Sequence, residues 1–389
     1  MAYPLEGLKV LDMSRVLAGP FAGRMLCDLG ADVVKVEPPD GDITRIWGAV
    51  VNGVPGYYHQ QNVGKRNICV DLGQADGTVL IKRLVEVSDI LIENFRPGVM
   101  ERLGVGYQTL KEVKPDLLML SISGYGQDSP EATRPAYAPA IHAEAGLVLR
   151  QQQRGKGETA SDIGISTADT NASLHGLVAV LSALYLRDKT GLGQHIDMAM
   201  IDAMVATDDQ LHYFLEDSIE TGPALSDIWE TGAGPVLLAG DFRHIWRMLS
   251  ERAGLQDPTP PGAGLAEKIR LRREAARNYF AALPDVDAVR NAMETMNLAW
   301  GAVRDSADIE ESLTVAHRGT ITTVDDGGGG RRQVTQSPYH FSNAESGVRG
   351  SAPHRGEHNE QVLRDWLQLD DSEVASWLHS GVLLDDVGV

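Results

Sequence analysis

Between residues 8 and 121 the apolar positions come in short runs: Leu8 to Met13, Val33 to Val36, Ile68 to Asp71, Ile90 to Glu93 and Leu117 to Ser121. The runs are rich in branched residues and are separated by segments long enough for crossover helices, which predicts alternating strands and helices. The fold class expected is α/β, an open parallel Rossmann-like sheet with helices on both faces. In such sheets ligands settle beyond the carboxyl ends of the strands, where Ser14 to Gly23, Glu37 to Arg45 and Asn94 to Gly98 lie. Further along, Leu174, Leu177, Val178, Leu181, Leu184 and Tyr185 recur at helical spacing. This predicts a long helix that buries that face and begins within a residue or two of Asp169.

From about residue 190 the pattern loosens. Thr190 to Ile201 reads as a turn and a strand, Ala203 to Phe214 as a helix, and Pro223 to Gly234 as irregular. Asp257 to Gly264 is a Pro/Gly loop, Glu267 to Leu283 a helix, and Thr320 to Val324 a short β run. This mixture predicts a smaller α+β region beside the sheet.

Composition narrows the function classes. A chain of 389 residues with 43% hydrophobic content can bury a large core and folds as more than one domain. A net charge of −19 argues against a nucleic-acid-binding surface, which needs clustered Lys and Arg, but leaves room for a local positive patch around a small anion. Cys27 and Cys69 form no CxxC or metal-ligand pattern, so neither a disulfide framework nor a structural zinc is expected, and a reducing cytoplasm fits best. No basic leader with an apolar core and no run of roughly 20 apolar residues is evident, so no membrane segment is expected.

Three motifs invite cofactor readings that their details oppose. Ser14 to Gly23 follows a strand and opens a helix, but Gly19 and Gly23 do not give GxGxxG and Pro20 interrupts it. Those glycines read instead as tight strand-to-helix packing. Gly327 to Gly330 lacks the Gly-Lys-Ser/Thr ending of a phosphate loop and follows Asp325-Asp326, so a turn between two β runs is expected, with Arg331-Arg332 as a solvated edge. Nothing in His354 to His358 requires a metal.

Asp169 carries the sharpest chemistry. It stands where a polar loop turns into the long helix, and could cap that helix or serve as a carboxylate held among free backbone N–H groups. Thr170 and Asn171 could cap equally well. The surrounding motifs decide between the readings. Leu5 to Asp12 with Ala18-Gly19-Pro20, Leu29 to Pro38, Gly41-Asp42 with Arg45, and Gly64-Lys65-Arg66 are followed in order by Glu93 to Gly98 and Gly124-Tyr125-Gly126. Thr190 to Gln194 with Asp197, and Pro353 to His358, complete the series. Across nearly the whole chain this resembles the class III CoA-transferases, the CaiB/BaiF family that includes formyl-CoA transferase.

The resemblance implies a domain plan: residues 1–200 as the nucleotide-fold domain that binds CoA, 201–224 as a linker, 225–325 as the small domain, and 326–389 as a segment returning to the first. It also implies an interlocked homodimer. Asp169 is the implied nucleophile. It attacks an acyl-CoA to give a mixed anhydride, the CoA thiolate then forms an aspartyl-CoA thioester, and an incoming carboxylic acid takes the CoA. CoA esters are substrates in this scheme, and no resident cofactor or metal is required. An ordinary Asp is already ionised near neutral pH, so no pKa shift is needed.

On the substrate side the resemblance points to Tyr137 and Leu17, and for CoA to Val16, Arg45, Asn94, Phe95, Arg102 and Leu103, with Glu37 and Pro38 at the adenine end. His142 and His175 receive no proton-transfer role. Tyr137 stands where the racemases of the family have a histidine, which favours transfer over α-proton exchange. Leu17 and Pro135 replace a glutamine and a lysine of formyl-CoA transferases, and Thr231-Gly232-Ala233-Gly234 is a thin counterpart of their glycine loop. A larger donor such as succinyl-CoA, or another short acyl-CoA, is therefore expected. The competing readings are an α-methylacyl-CoA racemase of the same fold and a non-catalytic acyl-CoA-binding protein.

Overall fold

The computed structural model describes residues 2–155, 160–216 and 226–385. In chain order the strands are β1 (Lys9–Asp12), β2 (Asp32–Glu37), the short hairpin β3 (Val50–Val51) and β4 (Val54–Pro55), β5 (Arg66–Val70), β6 (Ile90–Glu93), β7 (Leu118–Ser123) and β8 (Gln194–Ala199). Then follow β9 (Ser226–Thr231), β10 (Gly234–Ala239), β11 (Trp300–Ala302), β12 (Ile321–Asp325), β13 (Arg331–Thr335) and β14 (Leu383–Leu384). The chain divides into two compact units, Met1–Asp209 with His317–Val389, and Gln210–Ala316.

The larger unit is built on one sheet of order β14-β5-β2-β1-β6-β7-β8. Its first six strands in sequence pair in parallel, and β14 joins β5 antiparallel at the edge. Counting only the parallel strands, the order is 3-2-1-4-5-6, the doubly wound arrangement, with its reversal between β1 and β6. The central strands are buried on both faces, so they read as continuous apolar runs. Alternate residues feed two cores. Val10, Ile92 and Leu120 pack under the helices Ala18–Asp28 and Thr167–Thr190, while Leu11, Leu91 and Met119 pack with Leu80 and Leu84. Val362, Leu363 and Trp366 of the returning segment close the second core.

Glycine spacing sets how closely the first helix lies on the sheet. A Cβ on Gly19 would sit 2.1 Å from the Ser14 Cβ, and one on Gly23 would sit 2.7 Å from Asp12 Oδ2. Both positions tolerate no side chain, as the packing reading required.

The long helix spans Thr167–Thr190, as its periodicity predicts, but it buries a different face. Ala168, Ala172, Ser173, Gly176, Leu177, Val180 and Ala183 are inside, whereas Leu174, Val178, Leu181 and Tyr185 are exposed. The physical reason is bulk on the facing sheet. A Cβ on Gly176 would already lie 3.0 Å from the Leu120 side chain, so only a small-residue face lets the helix approach.

Other expectations are also corrected. The helix Met200–Ala206 ends where the Thr207 hydroxyl bonds back to Ala203 O at 2.9 Å, and His212–Leu215 is a separate turn. Within Pro223 to Gly234, residues 223–225 lie outside the described residues, and Ser226–Thr231 is the strand β9. Its partner is β10, through a turn at Gly232-Ala233. With β11 these strands form the sheet of the smaller unit, where Trp229, Val236, Ile245, Phe280 and Met293 share a core. Strand β12, expected in the small domain, pairs with β13 inside the larger unit.

The run Gly327 to Gly330 is the β12–β13 turn. Its N–H groups are taken by its own acids, since Asp325 Oδ1 accepts from Gly327 and Asp326 Oδ1 from Gly328 and Gly330. Arg332 is not a solvated edge. It donates to Val54 O at 2.6 Å and Ala49 O at 3.2 Å, fastening the hairpin to the segment before β5.

Candidate active site

The sheet reversal leaves a crevice between the segments that follow β1 and β6. These segments are tied to each other: Arg15 N–H donates to Asn94 Oδ1, and Asn94 Nδ2 donates to Arg15 O, both at 2.8 Å. Between Arg15 and the first helix, Val16 adopts a left-handed conformation with φ of 67°. A β-branched residue pays for this with strain, so its neighbours must hold it. They do: Val16 N–H donates to Asp42 Oδ2 at 3.1 Å, and Asp42 is paired with buried Lys35 at 3.3 Å. Lys35 Nζ also donates to Ser14 O at 2.6 Å. The loop is thereby clamped at the point where it delivers Ala18, the first residue of the helix Ala18–Asp28.

Asp169 is the third residue of the helix Thr167–Thr190. Ser166 stands at the cap position, so Asp169 is not the N-cap that its residue type could have made it. Its carboxylate is half-buried and is stabilised by backbone N–H groups of Ala18, of Asp169 itself and of Ala138. Ala138 opens the helix Ala138–Glu144. Three helix starts from distant parts of the chain thus converge on one carboxylate, each with free N–H groups and a positive dipole end. Burial pushes the Asp169 carboxyl up to about 6, against the opposing influence of those N–H groups. The ordinary acidity assumed from sequence is thus shifted, although most of the group is still ionised at neutral pH.

Two adjoining cavities flank the crevice. The smaller, about 100 Å³, is lined by Asp169, Val16, Ala18, Asn94, Tyr137 and Met200, with Arg15, Arg96 and Arg134 also on its wall. The larger, about 330 Å³, is lined by Glu37, Pro38, Gly41, Leu72, Phe95 and Leu103, among others. Arg15 and Phe95 line both, with the guanidinium 5.7 Å over the ring centroid. Val16, Asn94, Phe95, Leu103, Glu37, Pro38 and Tyr137 are therefore brought together around one continuous crevice.

Three expected positions are not. Arg45 is engaged by Glu37 through Nε–Oε2 at 2.8 Å and Nη2–Oε1 at 2.7 Å, donates to Pro353 O, and covers the Tyr58 ring at 3.8 Å. Its Nε and Nη2 are thus committed within the fold, and it lines neither cavity. Arg102 is exposed and lines neither cavity. Leu17 is buried, and only its neighbours Val16 and Ala18 reach the wall.

A scan against family models matches CoA-transferase family III over residues 5–359. The chain belongs to CoA-transferase family III. It is 31% identical to a succinate–glutarate CoA-transferase of Agrobacterium fabrum, covering 93% of this chain and 95% of the relative. It is 32% identical to a succinyl-CoA:mesaconate CoA-transferase of Haloarcula hispanica, covering 92% and 95%. The crystal structure of a CaiB/BaiF family protein from Brucella suis aligns with a TM-score of 0.79 and 30% identity, over 94% of this chain and all of that one. The family III chain is thus an enzyme of CoA transfer, and CoA thioesters are substrates of its relatives.

Among the described residues of this CoA-transferase no helix is long and apolar enough to cross a membrane, and no group of three His, Cys, Asp or Glu could hold a metal ion. The site also contains residues that spacing did not reveal. Arg15 and Arg96 make no ion pair among the described residues yet line the cavity beside Asp169. Tyr57 lines neither cavity; burial and the charges of Asp169 and Asp42 push its phenol up to about 12, and Trp47 packs edge-on against its ring at 5.2 Å. The sequence offered one usable signal, the arginines inside otherwise apolar loop motifs after β1 and β6.

Proposed function

We propose that this enzyme moves CoA between short dicarboxylic acids through Asp169, with succinyl-CoA as donor. The observation that carries the reading is the convergence of the Ala18 and Ala138 N–H groups on a half-buried carboxylate, beside two unpaired arginines. In the first step an Asp169 carboxylate oxygen attacks the thioester carbonyl and expels CoA thiolate, leaving an acyl-aspartyl anhydride. The thiolate attacks the Asp169 carbonyl carbon, releases the donor's carboxylate and forms an aspartyl-CoA thioester. The acceptor carboxylate then displaces thiolate from that carbon, and the thiolate takes the acceptor's acyl group, which regenerates Asp169.

Each tetrahedral intermediate at the aspartyl carbon carries charge that the Ala18 and Ala138 N–H groups, which already favour the carboxylate, would stabilise. Arg15 and Arg96 suit the second carboxylate of a diacid or the phosphates of CoA. The larger cavity, walled by Pro38, Phe95 and Leu103, suits the adenine end. Relatives named for succinate, glutarate and mesaconate support the diacid reading. A homodimer, interlocked as the family resemblance implies, is part of the proposal, supported by the uncovered Leu174, Val178, Leu181 and Tyr185. A reducing, cytoplasmic setting is supported by the two buried free cysteines.

The test is to incubate the protein with a panel of acyl-CoA esters, trap with hydroxylamine or borohydride, and read intact and peptide masses. Modification confined to Asp169, strongest with succinyl-CoA and lost in Asp169→Ala, is expected. No adduct, with α-deuterium appearing in recovered ester, would overturn transfer in favour of an isomerase.

A further inference from the structure

His142 is fully buried on the helix Ala138–Glu144, and it does not line the catalytic cavity. Both of its ring nitrogens are engaged. Nδ1 lies 2.7 Å from Asp162 Oδ1, and Nε2 lies 2.9 Å from Thr167 Oγ1 and 3.1 Å from the backbone nitrogen of Ala168. A backbone N–H can only donate, so Nε2 accepts there, and the ring proton sits on Nδ1 and is donated to Asp162. Asp162 is itself oriented, since the same Oδ1 accepts the Ile163 N–H at 2.8 Å.

Ala168 immediately precedes Asp169 and is the second residue of the nucleophile helix, whose first N–H groups have no partners within the helix. Ser166, at the cap position, makes no side-chain cap bond. The imidazole supplied from a neighbouring helix does that work instead. We infer that His142, held in its Nδ1–H tautomer by Asp162, caps the first turn of the helix Thr167–Thr190 and thereby sets the direction of the Asp169 carboxylate. It is a positioning residue. With both nitrogens occupied and no cavity face, it takes no proton from substrate.

The inference rests on Asp169 being the nucleophile. The amide oxygen of a glutamine can occupy the place of Nε2 and accept the Ala168 N–H, whereas a leucine fills the volume without accepting. His142→Leu is expected to lower kcat about ten-fold or more, with the KM for succinyl-CoA within about two-fold, because a small misplacement of an attacking group costs rate rather than binding. His142→Gln is expected to recover most of that rate. Asp162→Ala, at a partly exposed position, is expected to fold and to fall between them, because the tautomer is no longer imposed.

The rate of Asp169 adduct formation is measured in parallel by mass spectrometry. No adduct in the unmodified protein would overturn the nucleophile reading. An adduct there, with folded His142→Leu equally fast or with His142→Gln as slow as His142→Leu, would overturn the positioning role alone. Should His142→Leu fail to fold, His142→Gln near the unmodified rate with Asp162→Ala slowed supports the role, and any other pattern overturns it.

Discussion

Replacing Asp169 by asparagine separates the cost of holding the proposed nucleophile from its use. The carboxyl is pushed from 3.8 up to about 6 in the folded chain. A raised carboxyl keeps its proton in the folded state at pH values where the unfolded chain has lost it. Its contribution therefore favours folding at low pH, and that advantage is lost as pH rises through about 6. A shift of about 2 units corresponds to about 3 kcal/mol at full ionisation, an upper figure for a half-buried group. Titrating both states gives a penalty of about 2 kcal/mol at pH 5 and about 3 kcal/mol at pH 8 relative to a group that does not titrate. Asparagine keeps an oxygen for the Ala18 and Ala138 N–H groups and carries no charge.

Asp169→Asn should thus be inactive in adduct formation yet more stable than the unmodified protein at pH 8. The stability difference should widen by about 1 kcal/mol between pH 5 and pH 8. Urea unfolding of both proteins across that range is the assay, because all other titrating groups are common to the pair and cancel. A difference that does not change with pH would refute the buried, shifted carboxylate. In the unmodified enzyme the same acidity predicts adduct formation at about half its plateau rate near pH 6.

The close approach of the nucleophile helix gives a second outcome. Gly176→Ala should destabilise the larger unit by about 1–2 kcal/mol by overpacking against Leu120, and Leu120→Val should recover part of the loss in the double variant, read by denaturant midpoints. The exposed stripe gives a third. In the proposed interlocked dimer Val178, 63% exposed in the single chain, is covered by the partner, so Val178→Asp should lower the denaturant midpoint rather than release folded monomers, because threaded chains cannot part without opening. An unchanged midpoint would remove that stripe from the proposed interface.

Much of this was legible before any coordinates. The short branched runs from Leu8 to Ser121 specify parallel strands, because strands buried on both faces need continuous apolar sequence. The spacing of Gly19 and Gly23 marks a helix lying tight on a strand, and the junction at Asp169 marks a helix start. Local chemistry suffices for such features, since period, turn residues and end signals act within a few residues of one another.

Tertiary structure decided the rest, because it turns on what distant segments bring to one place. The periodic leucines of the nucleophile helix are equally consistent with facing in or out, and the bulk of Leu120 gave the inside to Ala172 and Gly176. Arg45 carries the charge of a phosphate ligand, but Glu37 and Pro353 claim its Nε and Nη2 donors. The shifted acidity of Asp169 depends on how deeply the fold buries it and on donors at Ala18 and Ala138. His142 became a cap only because two helices cross there. Sequence sets which elements form and what chemistry they carry; proximity and burial set which charges are free, which are spent, and how strongly each holds its proton.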